Sequence, residues 1–137
     1  MSVLFSSISD NWNTPLSLYK KLDEEFLFDF DPCPQEHDFD GLSIEWGKRN
    51  FVNPPYSEWQ KWVEKGYHES RKGKLVVFLL AARTDTKVFH DYIIPFADEI
   101  RFLRGRLRFK FQGDHTKRHN APFPSMIVIF NKHEVKE

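Results

Sequence analysis

The sequence has one cysteine, no long apolar run and no excess of charge of either sign. Each lack excludes something. A lone Cys33 rules out an internal disulfide and a zinc site built on several cysteines, and it fits a reducing cytoplasm. No segment approaches the roughly 18 apolar residues of a membrane-spanning helix. Met1 to Asp10 has neither a basic start nor a long apolar stretch, so no secretory signal is expected. The six histidines show no close ligand spacing: His115 and His119 stand near each other with no third ligand evident, and no metal is expected. Basic and acidic residues balance at 20 each, which argues against a generic polyanion binder.

What is present is enough for one domain spanning residues 1–137. Aromatics make up 16% of the chain, with 14 Phe. That excess suits an aromatic core, or a core plus a few stacking surfaces for bases. The balanced charge is unevenly spread. Asp10, Asp23, Glu24, Glu25, Asp29, Asp31, Glu36, Asp38, Asp40 and Glu45 crowd the first third, whereas Arg101, Arg104, Arg106, Arg108, Lys110, Lys117 and Arg118 face only Asp114. A protein with one basic surface for phosphates and an acidic region elsewhere has this distribution; so does one with a merely solvated face.

Thr14-Pro15 reads as a helix start, with Thr as cap and Pro at the first helical position, and Leu18, Tyr19, Leu22 and Phe26 form the apolar stripe that follows. Phe28 to Asp31 alternates as a short strand stopped by Pro32 and Pro34. Asn50-Phe51-Val52 is a second strand, and Ser57 with Gln60 forms a capping-box pattern before a helix that Gly73 ends. Leu75 to Ala81 is apolar without alternation, as expected of a strand buried on both faces. Thr84 to Tyr92 reads as helix, Glu99–Leu103, Arg106–Phe111 and Ser125–Phe130 as strands, and Gln112–Asn120 as a polar loop. This order predicts an α/β fold with a mostly parallel sheet, an antiparallel end and helices on both faces. Asp31-Pro32 and Asn53-Pro54-Pro55-Tyr56 each follow a strand, so both belong on the carboxyl rim where such sheets bind ligands.

Asn53-Pro54-Pro55-Tyr56 is the strongest chemical signal. Asn53 brings a carboxamide acceptor, the prolines fix the backbone and remove competing N–H donors, and Tyr56 brings a flat face. An amine on a planar ring fits this set. The ring stacks on the tyrosine, and the amine donates to the Asn oxygen and a loop carbonyl. Its lone pair is then aimed at an electrophilic methyl by orientation and charge stabilisation.

The loop resembles the amino-methyltransferase signature, in which Asp, Asn or Ser precedes Pro-Pro-Tyr. Trp12-Asn13-Thr14-Pro15, Phe30-Asp31-Pro32-Cys33-Pro34, Asp40-Gly41-Leu42 with Trp46, Ala82-Arg83-Thr84-Asp85-Thr86, Gly105-Arg106-Leu107-Arg108-Phe109 and Ala121-Pro122-Phe123-Pro124-Ser125 occur in the order seen in phage-type DNA adenine methyltransferases. The resemblance implies a Rossmann-like fold and S-adenosylmethionine as methyl donor. It implies that Asn53, Pro54, Pro55 and Tyr56 hold the target amine, that Thr14, Pro15, Asp31, Pro32 and Asp40 contact the donor, and that the partner is DNA. Arg83, Arg104, Arg106 and Arg108 are the expected DNA contacts, with the target adenine flipped out of the duplex. Cys33-Pro34-Gln35-Glu36 stands where many methyltransferases carry a Gly-rich loop. Cytosine 4-amino groups, RNA adenines and protein glutamines are alternative amines for the same loop. A catalytically silent DNA-binding module is the alternative of another class, and a monomer and a homodimer fit equally.

Overall fold

A computed structural model describes residues 13–34, 38–111, 114–120 and 123–131, with 109–111 and 114–120 through their backbone only. Trp12, Gln35, Glu36, Ala121 and Pro122 of the motifs above lie outside the described residues, as do the side chains of Lys110, Lys117 and Arg118.

The fold is mixed α/β. In chain order it comprises α1 (Leu16–Phe26), β1 (Arg49–Val52), α2 (Trp59–Ser70), β2 (Leu75–Ala81), a π-helical turn (Phe89–Ile93) running into α3 (Ile94–Phe96), β3 (Glu99–Phe102), β4 (Arg108–Phe111), β5 (Asp114–Asn120) and β6 (Ser125–Phe130). Four strands form one sheet in the order β1-β2-β6-β3, and β4 and β5 form a separate antiparallel ribbon.

β2 is the spine of the sheet. All seven of its residues are buried, because it has a strand on each edge and a helix layer on each face. Its side chains alternate between two cores. Val76, Phe78 and Leu80 join Trp62 and Val63 of α2 with Val88, Phe89 and Ile93. Leu75, Val77 and Leu79 join Leu22 of α1, with Leu18, Tyr19 and Phe26 packed alongside. Helices thus cover both faces, as expected.

β1 runs parallel to β2, β6 runs antiparallel to β2, and β3 runs antiparallel to β6. The sheet is therefore mixed. Its single reversed strand is not at an end, as the sequence led us to expect, but inside, between β2 and β3. The even apolar character of Ser125–Phe130 carries no mark of strand direction, so the sequence pattern misses this.

Other departures have local causes. Phe28 to Asp31 does not form a full strand; only Phe30 bridges Asn50, in parallel, because the Asp29 and Phe30 N–H groups both donate to the Arg49 carbonyl. α1 starts at Leu16 with Pro15 as its cap residue, so Thr14 is not the cap. Ser57 and Gln60 do not form a capping box. The Pro55 carbonyl accepts from the Glu58 N–H, and a 3₁₀ turn (Tyr56–Glu58) precedes α2. The helical stretch expected from Thr84 begins later, because the Thr86 N–H and hydroxyl both turn back to the Arg83 carbonyl. Gln112–Asn120, expected to be a loop, contributes β5.

α2 lies close on β2 because Gly66 has no side chain: a Cβ there would stand 2.4 Å from the Phe78 ring. At the end of the same helix Glu69 is a buried carboxylate, its side chain 1% exposed. It accepts from the Trp46 N–H at 3.0 Å and from Lys74 and Lys72 at 2.6 and 2.9 Å, with Lys65 at 3.2 Å. Burial raises its pKa, but these partners outweigh burial and hold it at about 2 against an ordinary 4.5. A depressed carboxyl pKa stabilises the fold above the unfolded value, and that stability is lost as pH falls toward the folded one.

Three outcomes are expected. Gly66→Val will lower unfolding stability by about 1–3 kcal/mol or more in urea titrations, through forced separation of α2 from β2. Glu69→Ala will cost roughly 3–5 kcal/mol by stripping a buried ion cluster of its anion. The wild-type stability will drop between about pH 5 and pH 2, and Glu69→Gln will flatten that limb in the same titrations.

Candidate active site

The sheet register brings the motifs to one rim. β1 and β2 are parallel, so Asn53 and Ala82 leave them at the same end, and the parallel Phe30–Asn50 bridge leads Asp31 toward that end. Ala81 pairs with Ser125, so the reversed β6 starts at this rim, where the Ala82 N–H donates to the Pro124 carbonyl. Phe102 pairs with Met126, so β3 ends here too. Five chain segments far apart in sequence converge.

Asn53 is half-buried, and its Nδ2 donates to the Thr14 hydroxyl at 3.0 Å. This bond spans 39 positions and ties the start of α1 to the Pro-Pro loop. Pro54 is buried and Pro55 half-buried, so the loop is rigid both by ring closure and by packing. The Tyr56 ring stacks on Trp59 with centroids 5.0 Å apart and meets Phe123 at 5.2 Å. The Arg83 guanidinium lies over the same ring at 5.1 Å, while the Tyr56 hydroxyl oxygen is buried without a hydrogen-bond partner among the described residues. Trp59 reads in sequence only as a helix-face residue. Phe123, between two prolines, is buried and closes on Ala81, Tyr56 and Leu107.

A second corner is acidic. The Asp31 carboxylate accepts from the Cys33 N–H at 2.9 Å, and the Asp40 carboxylate from the Leu42 N–H at 3.0 Å. A close approach joins these two turns. A Cβ on Gly41 would stand 2.0 Å from the Pro32 carbonyl oxygen, so only glycine lets the Asp40 loop rest on Asp31-Pro32. The Trp46 indole N–H donates to the Gly41 carbonyl at 2.7 Å, and the Trp46 N–H and carbonyl are held by Glu69 and Lys74. Burial, then the charges of Asp23 and Asp31, raise the pKa of Tyr19, which puts Asp31 within electrostatic reach of α1.

The expected DNA-contact residues divide. Arg83 sits at the tyrosine. Arg104, Arg106 and Arg108 are exposed, and Leu107 between the last two packs into the Tyr56 cluster. Gly105, at φ 71°, turns the chain in this segment. Arg108 reaches a cleft that it shares with Thr14 and Pro15. Arg101 is committed elsewhere: its guanidinium donates to both oxygens of Glu25 at 2.7 and 2.6 Å and also pairs with Glu99. Among the described residues there is no cluster of three or more His, Cys, Asp or Glu that would hold a metal, and no helix is long and apolar enough to cross a membrane.

No curated protein and no solved structure matches the chain. A family model described as DNA N-6-adenine-methyltransferase (Dam) matches residues 1–137. The chain therefore belongs to the DNA N-6-adenine-methyltransferase (Dam) family.

Proposed function

We propose that this protein transfers a methyl group from S-adenosylmethionine to the 6-amino nitrogen of adenine in DNA. Asn53 at the rim, with its amide already tied to Thr14, is the observation that carries the reading. The Asn53 carboxamide, held through its nitrogen by Thr14, offers its oxygen as acceptor for one N–H of the target amine. The Pro55 carbonyl is engaged by Glu58, so the Pro54 carbonyl is the second acceptor. With both N–H groups held, the nitrogen lone pair points out of the ring plane, and positive charge developing on nitrogen meets two oxygen dipoles. The ring of a flipped adenine rests against Tyr56, whose position Trp59 and Phe123 fix. Arg83 holds a positive charge at the mouth of this loop, where the DNA backbone passes.

The donor supplies a methyl on a sulfonium beside an ammonium group. The acidic corner fits it: Asp31 and Asp40 bring carboxylates on two turns that meet where Gly41 rests on Pro32. Thr14 and Pro15 adjoin this site from α1, and Thr14 also sets the acceptor. The prediction is a separation of effects. In steady-state assays with labelled donor and duplex DNA, Asn53→Ala will lower kcat by about 100- to 1000-fold while donor affinity by calorimetry changes little. Thr14→Val will lower kcat about tenfold and Thr14→Ser will restore it, as expected of a hydroxyl that positions Asn53. Digestion of the methylated DNA and mass analysis will give N6-methyladenine. Methylcytosine would correct the base, and an Asn53→Ala rate near wild type would sink the mechanism.

A further inference from the structure

β3 is an edge of the sheet. Among the described residues its one neighbour there is β6, so its other side presents backbone groups that no strand takes up. The Leu103 N–H donates to the Ser125 carbonyl, which fixes the phase of the ladder: residues 99, 101 and 103 turn their N–H and carbonyl groups to β6. Ile100 and Phe102 therefore turn theirs outward. Side chains alternate between the two faces as well. Ile100 packs against the core beneath α2, and Phe102, two residues on, lies on the same face with 60% of its surface exposed. Glu99 and Arg101 lie on the other face, where Arg101 reaches Glu25 of α1.

The edge is also apolar. Ile94 and Phe96 of α3, just before β3, are 53% and 42% exposed. Three of the five exposed large apolar side chains among the described residues thus fall between positions 94 and 102. α3 lies on the same face as Phe102, because Phe96 meets the Tyr67 ring at 4.6 Å and Tyr67 packs on the core that Ile100 joins. The usual protections of an edge are missing: β3 has no proline and no lysine, and its pairing with β6 has no bulge. An open edge beside an exposed apolar strip is a surface for association.

The charges select a second copy of the same strand as its occupant. Two β3 strands can pair antiparallel about a two-fold axis. A register centred between two residues sets outward groups against groups already turned to β6, so no ladder forms. Centred on Glu99 or Phe102, the strands overlap by that residue alone. Centred on Arg101, arginine faces arginine. Centred on Ile100, Glu99 faces Arg101 of the other copy, twice, and the outward N–H and carbonyl of Ile100 bond to their own equivalents. The antiparallel run also carries Phe102, at the rim, to the α3 end of the other copy, where Ile94 and Phe96 wait for an apolar partner.

We propose that the protein forms a two-fold dimer through β3 in the register centred on Ile100, joining two four-stranded sheets into one. The two rims then point in opposite directions. β1, which bears the Asn53 loop, stands at the far end of the order β1-β2-β6-β3 from the interface, so each site stays open. The inference does not depend on the reaction proposed above.

Sedimentation velocity on the full chain across a concentration series tests it. Wild type will show twice the mass of the chain and dissociate on dilution. Phe102→Lys and Glu99→Arg will each raise the dissociation constant about tenfold or more, the second by setting arginine against arginine. Adding Arg101→Glu to Glu99→Arg restores opposite charges across the axis and will recover the dimer. The thermal unfolding midpoint of Phe102→Lys will stay near wild type, since the side chain is exposed; this variant touches neither charge and keeps the test decisive if the double variant does not fold. A wild type that is monomeric at every concentration would overturn the proposal. So would a dimer that both single variants leave intact, which would move the interface to another face. A folded double variant that stays monomeric would overturn the register.

Discussion

Glu69 is the constraint on which the acidic corner of the rim depends. A carboxylate this deeply buried is tolerable only because three lysines and a backbone N–H surround it. Glu69 and Lys74 take the N–H and the carbonyl of Trp46, and the Trp46 indole takes the carbonyl of Gly41. Gly41 then rests on Pro32. A chain of contacts thus leads from the far end of α2 to the two aspartates, with no regular secondary structure among the described residues between Phe30 and β1. An irregular segment with few backbone bonds of its own is held in place by a charge cluster outside the site.

The rim divides electrostatically, which the zero net charge hides. Asp31 and Asp40 make one corner negative, while Lys20, Arg108 and the first turn of α1 make another positive. Asn53 and Thr14 lie at the seam. The proposed reaction brings a cationic methyl donor to a polyanionic acceptor, which require opposite environments within reach of one another, and the bond between these two side chains joins the two corners. The aromatic group of Tyr56, Trp59 and Phe123 stands at the end of the same loop and adds a face with no charge of its own.

The chemistry of the site was more legible in the sequence than its geometry. Leu75–Ala81 and Ser125–Phe130 fall where their apolar runs place them, because a strand covered on both faces needs nothing but apolar residues. The Pro-Pro-Tyr loop is legible because proline restricts the backbone wherever it stands. Capping was misread at both helices, since the hydroxyl of Thr14 has a tertiary partner in Asn53 and the Pro55 carbonyl takes the turn that Ser57 was expected to cap. β5 was invisible, since Asp114–Asn120 is wholly polar and its strand character comes from pairing with β4.

The inward position of β6 has a consequence for how the protein is made. Among the described residues, the last strand in sequence is the third in space, and β3 has no neighbour in the sheet other than β6. The sheet cannot close while only the earlier strands exist. β2, apolar on both faces, must wait some fifty residues of synthesis for its partner, a long-range pairing of the kind that slows folding. During that interval its free edge is the segment of this chain most exposed to pairing with another copy.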